Sequence, residues 1–276
     1  MKILLLIVFI AVIAASCITS NPASVETAEN EIMQNQDKND SSKKIKGTPV
    51  IVELFTSEGC SSCPPADKVL ATLEQTQPIE GAEIIALSEH VDYWNRLGWT
   101  DPFSSAQFSN RQNEYRQYFK RDDVYTPQMV VDGTREFVGS NANEASKAIT
   151  EAAKKPKAEV EIKIEKIEEN KVYLSVKIEK LPKISSGDTA VIMLAITESN
   201  LATKVSRGEN AGRKLPHTAV VRYLQNIGSA DSDNKTLMQF IELQRDWKRN
   251  NLSVVAFVQN TGSRQIYGVT KINLIN

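Results

Sequence analysis

Thirteen unbroken apolar residues, Ile3 to Ala15, follow Lys2, and no later apolar run is as long. That length suits the core of a signal peptide and falls short of the ~20 residues a membrane-spanning helix needs. From residue 18 to about 46 large apolar residues almost vanish, so the stretch cannot bury enough surface to offset chain entropy and reads as a tether. Patterning then resumes. Val50 to Phe55 is a near-continuous apolar strand, and a helical period runs from Pro65 to Leu73. Glu83 to Ser88 is a second short apolar run suited to a buried parallel strand. Ser104 or Ser105 is placed to cap a helix reaching about Phe119, with Phe108, Gln112, Tyr115 and Phe119 on one face. Val124 to Gly133 contains Pro127, which belongs at the first residue of a strand, where no ladder bond is lost and a cis bond is tolerated. Asp132-Gly133 signals a tight hairpin into Glu136 to Gly139, and a helix from about Asn143 to Lys154 follows. The element order is βαβαββα over residues 47–155.

Beyond Pro156 the period changes. Val160, Ile162 and Ile164 alternate with charged residues, Glu169-Asn170 makes a turn, and Val172, Leu174, Val176 and Ile178 alternate again, as in a hairpin with one wet face. Ala190 to Ile196 is a continuous apolar run, Thr218 to Leu224, Leu252 to Val258 and Gln265 to Leu274 are further strands, and Lys235 to Leu243 fits strand or helix. About seven strands in roughly 120 residues without a cysteine predict an all-β, immunoglobulin-like sandwich domain over residues 156–276.

With 33 basic and 34 acidic residues the chain has no basic face of the kind nucleic acid requires, which excludes that partner class. The three cysteines change the picture more. Ala14, Ala15 and Ser16 lead into Cys17 in a pattern that resembles a bacterial lipobox, in which the cysteine is acylated and becomes the mature N-terminus. Ala14 stands where a larger aliphatic residue is usual, so ordinary signal-peptidase cleavage nearby remains the alternative. On the lipobox reading residues 1–17 are a leader, Cys17 anchors an exported protein to a membrane of the bacterial cell envelope, and residues 18–46 hold the body on the order of 30 Å away.

Cys60-Ser61-Ser62-Cys63 joins the first strand to the first helix. A helix N-terminus lowers a nearby thiol's pKa from about 8.5 toward roughly 3.5–7.5, which favours the thiolate, the attacking species in exchange. The two-residue gap lets the second sulfur resolve a mixed disulfide, so a dithiol–disulfide cycle needs no further cofactor. A structural disulfide is the plainer alternative in an oxidising compartment. A closed zinc site needs four ligands, and three Cys and two widely separated His are a poor source of them. CxxC on a strand-to-helix turn in a βαβ pattern is the thioredoxin-like arrangement. Because the first two strands run parallel, His90, and with it Asp92, emerges on the same rim as the thiols, either as a base or ligand or as an ordinary loop histidine.

The stretch Glu53-Leu54-Phe55-Thr56-Ser57-Glu58-Gly59-Cys60-Ser61-Ser62-Cys63-Pro64-Pro65-Ala66-Asp67 resembles the signature of the secreted thioredoxin-like family catalogued as domain of unknown function 1223. The resemblance continues through His90 to Trp94, Gly98-Trp99, Asp101-Pro102-Phe103, Tyr125-Thr126-Pro127-Gln128 and Gly208 to Arg213. It implies a thioredoxin fold in which a cis proline at Pro127, preceded by Thr126, faces the cysteines. Pro64 and Pro65 depart from ordinary thioredoxins: with Cys60 as the helix N-cap, they would deprive the Cys60 and Ser61 carbonyls of their donors. Glu58 opposes thiolate formation by charge, whereas the Ser61 and Ser62 hydroxyls favour it.

Three functions follow. One is thiol–disulfide exchange with protein thiols, disulfides or a redox partner protein, with Cys60 the exposed nucleophile, Cys63 the resolving thiol and Pro127 shaping the groove. A second is binding of a soft metal such as Cu(I) by Cys60, Cys63 and His90. The third is an interaction module with an inert disulfide. The loop Arg207 to Arg213, continuing to His217, has two glycines; its Glu209, Arg213 and His217 either face the redox rim or a partner, or hold the loop together.

Overall fold

Strand β1 (Thr48–Thr56) runs parallel to β2 (Ala82–His90), with Thr48 opposite Ala82 and Thr56 opposite His90, so both strands end on one rim. The computed structural model describes residues 47–184, 188–230 and 234–275; the leader, Cys17 and the tether to residue 46 lie outside them. Helix α1 (Pro64–Thr76) joins the two strands and buries Ala66, Leu70 and Leu73, a spacing of four and three that forms one apolar stripe. Helix α2 (Ala106–Tyr118) begins at Ser105, whose hydroxyl accepts the Gln107 N–H as the sequence predicts. The short strands β3 (Gln128–Val131) and β4 (Arg135–Val138) pair antiparallel. Asp132 and Gly133 between them both take positive φ, and a Cβ on Gly133 would lie 1.9 Å from the Arg264 carbonyl oxygen. Only glycine fits there. Helix α3 (Ala142–Ala152) completes βαβαββα, capped by Asn141.

Helices α1 and α3 pack on one face of this sheet with Val50, Val52 and Leu54. Helix α2 packs on the other, where Phe108 meets Ile51, Ile85 and Leu87 and Tyr115 meets Phe55. A buried polar joint fixes α2 there. Arg111 donates to Glu53 on β1 at 2.6 Å, to Gln259 at 3.1 Å and to the Tyr115 hydroxyl at 3.2 Å.

The second half contains β5 (Glu159–Glu168), β6 (Lys171–Glu179), β7 (Ala190–Glu198), β8 (Leu201–Lys204), β9 (Lys214–His217), β10 (Val220–Ser229), β11 (Lys235–Glu242), β12 (Leu252–Asn260) and β13 (Ile266–Asn273). The segment that fitted strand or helix is thus a strand, and the β8–β9 hairpin is additional. The immunoglobulin-like sandwich is not what these strands build. The large sheet has the order β13-β12-β7-β10-β2-β1-β3-β4, β10 joining β2 in parallel at Val220 and Ser88. It crosses the boundary expected at 155/156, and residues Lys46–Asn276 form one compact unit.

The physical reason lies in the apolar runs of β7 and β12, which are buried on both faces. Ile192, Leu194, Val254 and Ala256 face the small sheet β11-β6-β5 through Val172, Leu174, Val176 and Ile178. Ala195, Val255 and Phe257 join Ile51, Leu87 and Phe108 on the opposite face. A free sandwich leaves each sheet one wet face, whereas these runs make central strands of a larger sheet.

Candidate functional site

The chain leaves β1 at Thr56 and turns through Ser57 to Cys60, with the Cys60 N–H on the Ser57 carbonyl at 3.2 Å. Cys63, not Cys60, is the N-cap of α1, which puts Pro64 and Pro65 at the first two helical positions. Prolines cost nothing there, because those N–H groups have no intrahelical acceptor in any case. The Cys63 carbonyl receives the Ala66 and Asp67 N–H groups at 2.8 and 3.1 Å. Cys60 and Cys63 are joined in a disulfide with Cα atoms 5.4 Å apart. Cys60 Sγ lies 3.3 Å from Ser62 Oγ and 3.9 Å from the carbonyl oxygen of Thr126. The Thr126-Pro127 bond is cis, and the Thr126 hydroxyl accepts the Trp94 indole N–H at 2.8 Å. Cys60, Thr126 and Pro127 are therefore brought together.

Both cysteines are completely buried, at 0% exposure, so Cys60 is not the exposed nucleophile its position at a loop suggests. The turn that carries them is hydrogen-bonded by the far half of the chain. The segment from Val205 to Arg213 is closed on itself by Val205 N–H to Arg213 O at 3.0 Å and Gly212 N–H to Val205 O at 2.8 Å. From it the Glu209 carboxylate accepts the Ser61 N–H at 2.9 Å. Hydrogen bonding from Ser61 holds the Glu209 carboxyl below its usual range. Asn210, also at 0% exposure, donates Nδ2 to the Glu58 and Cys60 carbonyls, each at 2.9 Å. Arg213 holds the Asn210 amide oxygen at 2.7 Å.

Beneath the disulfide turn the chain's two histidines meet, ring centroids 5.0 Å apart, with Phe103 against both. His90 Nδ1 pairs with Asp101 Oδ2 at 2.7 Å, and Asp101 also accepts the Glu58 and Phe103 N–H groups at 2.8 and 2.9 Å. His217 Nε2 lies 2.8 Å from Glu58 Oε1, while Trp99 donates to Glu58 Oε2 at 2.8 Å. Asp67 on α1 accepts the Thr56 hydroxyl at 2.8 Å. Burial works against a charged imidazole, but Asp101, with Asp67 and Glu58 behind it, holds His90 above its ordinary value. Burial also works against the Asp101 carboxylate, yet His90 and the two N–H groups bring it below its usual range. Asp67 has no such donor set, and burial pushes it up.

His90 thus shares the rim with the thiols, but Asp101 occupies its Nδ1. Among the described residues no three Cys, His, Asp or Glu side chains converge to hold a metal ion, so Cys60, Cys63 and His90 are not assembled into a soft-metal site. Asp92 is drawn away to α2, where its Oδ1 accepts the Ser109 hydroxyl and its N–H donates to Ser109 Oγ. A cleft of about 470 Å³ beside α1 is lined by Asp67, Lys68, Arg213, Lys214 and His217 among others. Asp101, Asn210, Asp67 and Trp99 are functional neighbours that the sequence reading left without a role. Their only signal is their place in the quoted motifs, Asp67 at the end of the stretch from Glu53 and the others around Gly98, Asp101 and Gly208.

The model of the family described as a protein of unknown function, DUF1223, matches residues 51–259, and the chain belongs to that family. Among solved structures, protein AGR_C_4864 from Agrobacterium tumefaciens is 25% identical over 82% of this chain and 94% of its own, with a TM-score of 0.60. HBP35 of Porphyromonas gingivalis is 15% identical over 82% of this chain and 75% of its own, with a TM-score of 0.57. The latter likeness concerns the fold alone. No curated protein matches the chain.

Proposed function

We propose that this member of the DUF1223 family is a thiol–disulfide oxidoreductase of the bacterial cell envelope. The observation that carries the reading is the Cys60–Cys63 disulfide at the start of α1, with Cys60 Sγ directed to within 3.9 Å of the Thr126 carbonyl beside Pro127. In the oxidising direction a partner's thiolate bonds to Cys60 Sγ and the electron pair of the disulfide passes to Cys63, whose thiolate forms at the N-cap of α1 where the helix dipole favours it. A second partner thiolate then releases Cys60. The reverse sequence, begun by the Cys60 thiolate, reduces a partner disulfide. With Cys63→Ala the resolving sulfur is gone, so the Cys60 thiolate is expected to attack a partner disulfide and accumulate as a mixed disulfide, the partner's other sulfur leaving as a thiolate. A Cys63→Ala protein that captures no partner would reject the reading in favour of an inert staple.

The apolar leader and the small residues before Cys17 support export and lipid anchoring, and a disulfide suits an oxidising compartment. Mass spectrometry of membrane-extracted protein is expected to show an N-terminal acylated Cys17. An unmodified N-terminus at another residue would contradict the anchor.

A further inference from the structure

A disulfide that exchanges with partner thiols has to be reached along the S–S axis, yet both cysteines here are completely buried, and residues about 150 positions away in sequence are hydrogen-bonded to the backbone of their turn. We propose that the loop from Val205 to Arg213 is a movable strap over the disulfide, which opens to admit a cysteine-bearing segment of a partner protein and closes again over the oxidised pair. This rests on the exchange reading of Cys60 and Cys63.

The strap has the construction such a motion needs. It is fastened to the disulfide turn by three hydrogen bonds, from Ser61 N–H to Glu209 and from Asn210 to the Glu58 and Cys60 carbonyls. Its two glycines, Gly208 and Gly212, take φ of +76° and +82°, and nothing lies within 4 Å of the position a Gly212 Cβ would occupy. The fastening is exposed at Glu209 and buried only at Asn210. Lifting it leaves the Ser61 N–H free, in front of Cys60, to donate to a backbone carbonyl of an extended partner chain. Closing is also coupled to redox state. Glu209 sets a carboxylate against the CxxC turn, which a neutral disulfide tolerates and a Cys60 thiolate repels, so reduction weakens the closed form and oxidation restores it.

The probe is dithiothreitol acting on the full oxidised protein, with free thiols trapped by alkylation and counted by mass. The first dithiothreitol thiolate bonds to Cys60 as the Cys60–Cys63 bond breaks and its electron pair goes to Cys63, which takes up a proton. The second thiol closes the cyclic disulfide and releases Cys60. Wild type is expected to be reduced far more slowly than the urea-unfolded chain. Glu209→Ala, which removes one charge-assisted hydrogen bond from an exposed position, should speed reduction about three- to tenfold. Gly212→Ala, which strains the closed backbone without a steric clash, should speed it about fivefold. Circular dichroism identical to wild type shows that both variants are folded. Equal rates in the three folded proteins would overturn the strap. So would a disulfide reduced only on unfolding, which also rejects exchange. Faster reduction of both variants without partner capture by Cys63→Ala would show that the loop opens but reject the oxidoreductase, and with it the partner that the strap is proposed to admit.

Discussion

Replacing Arg111 with methionine is expected to destabilise the fold by about 3–5 kcal/mol, the cost of leaving a buried carboxylate without its cation. Arg111 is the cation at the centre of a buried joint. Glu53 is fully buried on β1, and its partners are the Arg111 Nε at 2.6 Å and the Tyr115 hydroxyl. Glu89 on β2, whose Oε1 lies 3.4 Å from the same nitrogen, is raised well above its usual range by burial and by the neighbouring Glu53. Gln259 on β12 ties in the second half of the chain through Arg111 and Tyr115. Methionine replaces the apolar stem of the side chain and removes every donor. At roughly 2–4 °C per kcal/mol for a body of this size, the midpoint of thermal unfolding should fall by about 6–20 °C. Adding Glu53→Gln should recover much of the loss, because the stranded charge goes with it. A drop below about 1 kcal/mol in urea unfolding would show that the joint is not held by charge.

Asp101→Asn is the second large effect, expected to cost about 3 kcal/mol near neutral pH for a broken buried pair. The amide still accepts from Glu58 or Phe103 N–H, but it no longer faces His90 with a charge. The sign with pH is distinctive. The folded chain holds the His90 proton more tightly than the unfolded chain, whose value is near 6.5. The imidazole's contribution is therefore complete below that value and is lost as pH climbs through the higher folded value. Asp101 is depressed from 3.8, so its contribution is present above that value and is lost as pH falls through the lower folded one. The difference between wild type and Asp101→Asn should be greatest between these limits and shrink at both ends. Thermal unfolding of both proteins across that range measures it, and a difference independent of pH would mean that shape rather than charge is lost.

Local signals in the sequence translate well into this structure. The cap at Ser105, the Asp132-Gly133 hairpin and the CxxC between β1 and α1 each depend on residues within a few positions of one another and are found where they were read, and Pro127, read as the first residue of a strand, stands one position before β3. Long-range partnerships are different in kind. An apolar run such as Ala190 to Ile196 declares a buried strand without declaring which sheet will bury it, so the strands of the second half were legible and their union with β2 was not. Cys60 reads as exposed because a strand-to-helix turn normally is, whereas it is buried, and its carbonyl is held by Asn210, a polar residue whose role depends on a fold already formed. His217 reaches Glu58 across 159 positions, and no spacing rule connects them. Pro64 and Pro65 were misread for a smaller reason: shifting the helix start from Cys60 to Pro64 turns a lost donor into a favourable first turn.

The most direct test of the account is the reduction potential of the Cys60–Cys63 pair, measured by equilibration of the full protein with glutathione or dithiothreitol buffers and mass analysis of the trapped thiols. A pair that exchanges with partners is predicted to lie between roughly −270 and −120 mV, the span of known dithiol oxidoreductases. A value below about −300 mV, where structural disulfides of secreted proteins sit, would contradict exchange and leave Cys60 and Cys63 as a fastening.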